Sequence, residues 1–202
     1  MKRIVYSLRC GVIGLKEFSA EIFRDYLKSQ LNDHQFIPGQ SVNERAYEFF
    51  ILYRDLPFKI EITFFENGDM FLENRSLRDN YDVICFLIEA QTTESSDNLK
   101  TEYKQIKQVL SKDIMYVLIG FTGDLNRIVN SEREHLISIG EELDFLYVFL
   151  LEYQKPDISQ IFKKIFRDFT FQFKFSSPEL FERAKAYGEK MREEKNKFFE
   201  LN

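Results

Sequence analysis

Three apolar runs in the second half of the chain, each followed by a helical pattern, limit the folds that this sequence can adopt. The runs span residues 81–89, 114–120 and 145–151, and helical periodicity follows them near 96–110, 131–142 and 158–169. Short apolar runs that alternate with helices are typical of parallel strands joined by right-handed crossovers. The alternation therefore predicts an α/β fold with a mostly parallel sheet and helices on both faces.

The first residues continue the same pattern. Residues 4–8 form a short apolar run that predicts a buried strand, and Gly11 and Gly14 follow it. The two glycines predict a turn, because glycine adopts backbone conformations that other residues avoid. Apolar residues then recur at helical spacing between 18 and 27, which predicts the first helix.

A hairpin is expected in the first half of the chain. Residues 47–53 and 58–65 are rich in aromatic and β-branched residues and flank the turn-like segment 54–57. One of these two strands must run against the others, so the sheet is expected to have one antiparallel edge strand. Segments 32–43 and 66–82 are polar and are expected to be loops.

Composition and charge exclude several classes of protein. The 202 residues carry a formal net charge of -5 with both signs interspersed, without the high pI expected of a nucleic-acid-binding protein. No window holds the roughly 20 apolar residues that a membrane helix needs, and His34 and His135 are isolated. The sequence predicts a cytoplasmic protein with no direct membrane anchor, no nucleic-acid partner and no metal site.

The C-terminal segment differs in character from the rest of the chain. We predict a domain over residues 1–172 and an amphipathic helical extension over 173–202, where Pro178 suits the first position of a helix. Its apolar residues include Tyr187 and Met191 at helical spacing. The helix either packs against its own domain or binds a partner, with Tyr187 and Met191 as candidate contacts.

The run that ends at 121–124 carries a resemblance to a known family. Those four residues read Phe-Thr-Gly-Asp, after the strand Tyr-Val-Leu-Ile-Gly. The order and spacing of strands and helices over about residues 3–170 resemble the Ras/Rab-type small GTPases, in which this strand ends in Asn-Lys-x-Asp. The resemblance implies a P-loop, small-G-domain-like fold for residues 1–172. Of the four guanine-reading positions, only Asp124 matches the family.

The phosphate-binding signature of the family, Gly-x-x-x-x-Gly-Lys-Ser/Thr, is degraded here. Aligned on the first helix, it corresponds to residues 9–16, so that Leu15 replaces the phosphate lysine and Lys16 the Mg²⁺-binding hydroxyl. A shift by one position places Lys16 correctly but puts Glu17 in place of the hydroxyl. The resemblance thus leaves Gly11, Gly14, Lys16 and Asp124 as a vestigial nucleotide site.

The metal-binding positions of the family are also replaced. The Asp-x-x-Gly element corresponds to residues 65–68, so Phe65, or Phe64 in the neighbouring register, stands where the Mg²⁺-organising aspartate belongs. The threonine of the first switch segment corresponds to Gly39. We therefore expect no cofactor and no Mg²⁺, disfavour GTP and GDP, and name no catalytic residue.

The leading hypothesis is a pseudo-GTPase that works as a protein-interaction and regulatory module. Its partner would be an active small GTPase or a scaffold complex, bound through the switch-like segments 36–46 and 66–80 or through an added strand at 47–53. The candidate contacts in those two segments are Phe36, Ile37, Phe71, Leu72 and Leu77. These apolar side chains could equally be tucked inside the domain.

Two alternatives stay open at this point. The chain could be a divergent GTPase that keeps Asp124 and uses Lys16 or Arg9 on the phosphates. It could also be a structural scaffold subunit that assembles through its C-terminal helix.

Overall fold

The computed structural model describes nine stretches of the chain: residues 5–14, 36–37, 41–43, 46–73, 81–90, 93–110, 113–122, 130–152 and 156–200. The predictions for the first helix, for Lys16, for Leu77 and for Asp124 lie outside these residues.

One eight-stranded sheet organises the described residues. Its strands are β1 (Tyr6–Ile13), β2 (Phe36–Ile37), β3 (Ser41–Asn43), β4 (Ala46–Tyr53), β5 (Leu56–Phe65), β6 (Val83–Glu89), β7 (Met115–Thr122) and β8 (Tyr147–Glu152). The six longer strands lie in the order β4-β5-β1-β6-β7-β8, and all of them except β4 are parallel. This arrangement confirms the predicted α/β class and the mostly parallel sheet.

Helices cover both faces of the sheet. They are α1 (Gly68–Glu73), α2 (Thr93–Val109), α3 (Asn130–Glu142), α4 (Ile158–Ser176) and α5 (Pro178–Glu200). One core contains buried residues of α4 and α5, and a second core, on the opposite face, contains buried residues of α1, α2 and α3. Because alternate residues of a strand point to opposite faces, the central strands contribute to both cores.

The hairpin between β4 and β5 is tighter than the sequence suggests. Only Arg54 and Asp55 form the turn, both with positive φ (49° and 63°), and Tyr53 pairs with Leu56. Two consecutive residues with positive φ match the right-handed twist of the flanking strands. The turn fixes the position of Arg54 beside helix α4.

The expectation of a single antiparallel edge strand is too simple. The short strands β2 and β3 both pair antiparallel with β4, within the segment 32–43 that was expected to be loop. The chain therefore covers the outer edge of β4 with its own backbone. A partner strand added along residues 47–53, as the sequence suggested, would have to displace these pairings.

The C-terminal helix packs on its own domain. Helix α4 continues to Ser176, and helix α5 begins at Pro178, the residue that the sequence favours for the first position of a helix. Helix α5 then buries Phe181 and Ala184 in the same core as β1 and β5. Gly188 sits so close to the hairpin turn that an added Cβ would lie 1.9 Å from the Asp55 carbonyl oxygen, and Arg192 forms a 2.6 Å ion pair with Asp55.

Candidate functional site

The parallel strands end together at one edge of the sheet, where α/β proteins of this architecture bind ligands. The described residues at the ends of β1, β5, β6, β7 and β8 are, respectively, Ile13 with the adjacent Gly14, Phe65, Glu89, Thr122 and Glu152. We refer to this region as the carboxyl edge. The side chains at its strand ends decide whether the edge suits an anionic ligand.

The first strand is longer than predicted, so part of the segment that was expected to form a phosphate loop is strand instead. Residues 10–13 of β1 pair with β5 on one side and β6 on the other, so Gly11 lies inside a buried strand rather than in a turn. Backbone groups used in sheet pairing are not free to turn toward phosphates. The predicted loop at 9–16 is therefore wrong over residues 9–13.

The turn begins at Gly14. Its φ is +102°, its amide donates a 3.0 Å hydrogen bond to the Phe65 carbonyl oxygen, and an added Cβ would lie 2.4 Å from the Leu87 carbonyl oxygen. A phosphate signature that begins at Gly14 spans residues 14–21, Gly-Leu-Lys-Glu-Phe-Ser-Ala-Glu. Its lysine and hydroxyl positions are then Ala20 and Glu21. The new register removes both groups from the signature, as the earlier one did.

The end of β5 is closed by an aromatic cluster. Phe65 is 3% exposed, and its ring centroid lies 5.1 Å from that of Phe71 and 6.3 Å from that of Tyr81. Burial raises the pKa of Tyr81 to about 12. Phe65 thus points into a core rather than toward a ligand, and an ionised carboxylate at this position would be strongly disfavoured.

Helix α1 begins directly after β5, in the segment that the sequence suggested was loop. Its first residue, Gly68, would bring a Cβ within 3.0 Å of the Glu102 side chain on α2. Burial raises the pKa of the Glu102 carboxyl, although the nearby Gly68 amide favours its charged form. Tight packing against α2 therefore holds this turn in place.

The end of β7 is likewise part of the core. Phe121 and Thr122 are each 1% exposed, and the Phe121 carbonyl oxygen accepts a 2.9 Å hydrogen bond from the Ala90 amide. Phe121 belongs to the core on the α4 face. Asp124, the remaining guanine-reading position of the resemblance, lies outside the described residues, and Glu89 is exposed at the end of β6.

Arg9 does not reach the carboxyl edge. It lies in the first half of β1, paired with Glu61, and its amide donates a 2.8 Å hydrogen bond to the Asp82 carboxylate. This position is five residues before Gly14, in the middle of the strand. Arg9 is therefore removed from the residues that could contact phosphates in the alternative hypothesis.

The structure places the predicted partner contacts in different environments. Phe71 is 1% exposed inside the aromatic cluster and Leu72 packs partly against the same core, so Phe71 is not available to a partner. The second possibility, that the apolar residues of this segment are tucked inside, holds for Phe71. Phe36 and Ile37 form β2, where their backbones pair with Ile51 and Phe50.

Tyr187 and Met191 line an apolar groove between α5 and the hairpin. The groove has a volume of about 240 Å³, and its other lining residues include Val5, Phe50, Leu52 and Pro57. Sequence periodicity found these two residues but could not show what they face. They are half-buried against the chain's own hairpin rather than fully exposed.

Two further findings concern the described residues as a whole. None of their helices is long and apolar enough to cross a membrane. In the same stretches, no group of three or more histidine, cysteine, aspartate or glutamate side chains could hold a metal ion.

No protein-family model matches this chain, and no curated protein matches it in sequence. The fold class is therefore shown by the structure alone, and function has to be argued from the residues.

Proposed function

We propose that the chain is a small-G-domain-like protein that does not hydrolyse GTP and acts as a protein-interaction module. A hairpin followed by parallel strands with helices on both faces is the arrangement that the Ras/Rab resemblance implies. The proposal rests on this arrangement and on the replacement of the residues that bind nucleotide and Mg²⁺ in that family.

The observation that carries the proposal is the burial of Phe65 and Phe121 at the ends of β5 and β7. In the family that the chain resembles, these positions hold the Mg²⁺-organising aspartate and the asparagine that braces the base-binding loop. Here both side chains are almost fully buried, on opposite faces of the sheet. A side chain committed to packing cannot also coordinate a metal or brace a ligand loop, so Mg²⁺ with GTP does not fit these residues.

The sequence that follows Gly14 supports the same conclusion. With Ala20 at the lysine position, the signature lacks the cation that neutralises the β- and γ-phosphates. With Glu21 at the hydroxyl position, a carboxylate would stand where a Mg²⁺-bound phosphate belongs. Like charges at about 4 Å repel strongly unless water screens them fully.

The proposal is tested by thermal unfolding of the purified protein with millimolar GTP, GDP or ATP, each with Mg²⁺ or with EDTA. A ligand at a hundred times its Kd stabilises a protein by about 2.7 kcal/mol, which is easily measured. We expect no nucleotide-dependent change in the melting temperature and no guanine nucleotide released on denaturation. A guanine-specific rise that Asp124→Ala abolishes would instead support the nucleotide-switch alternative.

Deletion of the C-terminal helix would not be a clean test of the scaffold alternative. Phe181 and Ala184 are part of the domain core, so removing residues 176–202 would expose that core as well as remove the helix. Tyr187→Ser and Met191→Ser change the groove and leave those two residues in place. Loss of self-association in both variants, at an unchanged melting temperature, would favour assembly through α5.

A further inference from the structure

A second concave surface lies over helix α4, away from the carboxyl edge. Its volume is about 530 Å³, and its lining combines two aromatic side chains with four cationic ones: Tyr53, Phe149, Arg54, Lys163, Lys164 and Arg167. We refer to this surface as the basic cleft. It draws on the hairpin turn, on β8 and on α4, so residues far apart in sequence meet there.

The amphipathic pattern of α4 explains why the cations share one side. Gln160, Lys163, Lys164 and Arg167 follow the spacing i, i+3, i+4 and i+7, which places them on one face of a helix. The buried side chains of the same helix include Ile161 and Ile165, and they pack against the sheet. From sequence alone this pattern is typical of a solvated face. The structure adds the aromatic rings that make the surface a cleft.

Aromatic side chains hold several of these cations in position. The Arg54 guanidinium lies 5.5 Å from the Tyr53 ring centroid, and the Lys164 ammonium lies 5.8 Å from that of Tyr147. Arg167 donates a 3.2 Å hydrogen bond to the Tyr147 hydroxyl. Cations placed over rings keep their charge available to a ligand, because a ring face attracts but does not neutralise them.

The positive charge of the cleft is only partly compensated. Arg167 has a carboxylate partner in Asp168, at 3.4 Å. Among the described residues, Arg54, Lys163 and Lys164 form no ion pair. Lys163 lies close enough to Asp157 to lower the pKa of that carboxyl, whereas Arg54 and Lys164 have no carboxylate at ion-pair distance within the described stretches. The cleft therefore keeps an excess of positive charge in a chain whose net charge is -5.

We propose that the basic cleft binds an acidic peptide segment of a partner protein that carries an aromatic anchor. Carboxylates of the segment would pair with Arg54, Lys163 and Lys164, and the anchor would pack on Tyr53 and Phe149. This deepens the proposed function, on which it rests for the role of binding a partner, by naming the chemistry of that partner.

Size and charge favour this occupant over others. An open cleft of about 530 Å³ has room for ligands much larger than an inorganic phosphate ion, and its aromatic lining would gain nothing from such an ion. A nucleic acid carries a charge at every nucleotide along its length, so it would meet the acidic remainder of a chain with net charge -5 over a longer span than a short peptide would. Acidic peptides combine a limited number of charges with apolar side chains, which matches the mixed lining.

The test uses fluorescence anisotropy with the full-length protein and a fluorescein-labelled peptide in which glutamates flank a single phenylalanine. We expect binding that weakens as salt is raised, and that weakens when glutamine replaces glutamate or alanine replaces phenylalanine in the peptide. The variant Lys163→Glu/Lys164→Glu should lower affinity about tenfold or more, which corresponds to about 1.4 kcal/mol. Both side chains are exposed, so the melting temperature should fall only slightly, through loss of the Lys164 contact with the Tyr147 ring.

Lys174→Glu provides the matched control, because Lys174 is an exposed lysine in the last turn of the same helix and does not line the cleft. Its affinity should stay within about twofold of wild type, a free-energy change of about 0.4 kcal/mol. Equal loss in the control and in the double variant would overturn the proposal, as would the absence of binding at low salt. Tighter binding of single-stranded RNA or phosphatidylserine vesicles through the same lysines would also overturn it. Nucleotide binding bears only on the proposed function, so the two can fail separately.

Discussion

The Gly14 amide donates a 3.0 Å hydrogen bond to the Phe65 carbonyl oxygen, which joins the end of β1 to the end of β5. Gly14 leaves the sheet with positive φ at this point, while the Phe65 side chain enters the core on the face of α1, α2 and α3. On the proposed small-G-domain-like assignment, this hydrogen bond connects the turn that corresponds to the start of a phosphate loop with the position that corresponds to a metal ligand.

Replacement of Gly14 should destabilise the folded protein. Gly14→Ala puts a Cβ 2.4 Å from the Leu87 carbonyl oxygen and forces a left-handed conformation on alanine. We expect a loss of about 3 kcal/mol in the free energy of unfolding, measured in urea. Gly11→Ala is the control: its Cβ would meet the Tyr81 ring at an ordinary 3.5 Å, so it should be neutral or stabilise the strand by about 0.5 kcal/mol. Equal effects at both positions would contradict the turn at Gly14.

The docking of α5 can be tested by whether one substitution raises or lowers the free energy of unfolding. Alanine is about 1 kcal/mol more favourable than glycine inside a helix, so Gly188→Ala would stabilise an undocked α5. In the docked helix the new Cβ would collide with the Asp55 carbonyl oxygen, and we expect a loss of about 2 kcal/mol. Glu182→Ala, at an exposed position of the same helix, should change stability by no more than about 0.5 kcal/mol. A more stable Gly188→Ala protein would show that α5 does not pack on the hairpin.

Placing a carboxylate at the end of β5 should not create a metal site. Phe65→Asp removes an aromatic side chain from the cluster with Phe71 and Tyr81 and buries a charge there. We expect a loss of about 4 kcal/mol or more and no Mg²⁺-dependent stabilisation by GTP. Phe65→Leu, which keeps the position apolar, should cost only about 1 kcal/mol. A stable Phe65→Asp protein that melts higher with Mg²⁺ and GTP would contradict the closed edge.

Alkaline pH should destabilise the protein through buried phenols. The pKa of Tyr116 is raised from 10.0 to about 12, mainly because the phenol is buried and to a smaller extent because Tyr103 lies nearby. Between those two values the unfolded state binds fewer protons than the folded state, so stability is complete below pH 10 and falls as pH rises toward 12. Tyr116→Phe should flatten this decline in urea unfolding measured across that range.

Tyr116→Phe should also be tolerated near neutral pH. The Tyr116 hydroxyl is buried and has no hydrogen-bond partner among the described residues, so its removal should leave stability unchanged or raise it by about 1 kcal/mol. Tyr103→Phe is the matched control, because the Tyr103 hydroxyl accepts a 2.9 Å hydrogen bond from Lys107 and its loss should be mildly destabilising. An unchanged pH dependence in Tyr116→Phe would show that other groups govern alkaline unfolding.

The central strands were predictable because their sequence and their environment agree. Strands β6 and β7 are buried on both faces, and such strands appear in sequence as continuous apolar runs. Helices α2, α3 and α4 carry the periodicity of elements with one buried face. Predicted and observed bounds differ there by a few residues at most, except that α4 continues to Ser176.

The first strand was harder to place because a glycine can lie either in a turn or within a strand. Gly11 and Gly14 look alike in sequence, but Gly11 is buried against Tyr81 within β1, and only Gly14 needs positive φ. Pairing with β5 and β6 decides between them, and that information is not local. The short strands β2 and β3 were missed for the same reason, since two or three residues carry no periodicity.

Individual residues of the candidate sites could be found from the sequence, but the surfaces that they form could not. Tyr187 and Met191 were identified from helical spacing, although the surface they face was not. Lys163, Lys164 and Arg167 were visible as a charged helix face, and nothing in the sequence joins them to Arg54 or Phe149. Only the fold brings the hairpin turn to α4.

The placement of cations beside β8 also bears on how copies of this protein behave together. β4 is covered by β2 and β3, whereas β8 is the terminal strand on the other side of the sheet. Lys164 and Arg167 both contact Tyr147, the first residue of β8. Two molecules that approached through this strand would bring like charges together, and lysines at a sheet edge are a known defence against such growth. The electrostatics of α4 should therefore oppose the pairing of two copies through β8.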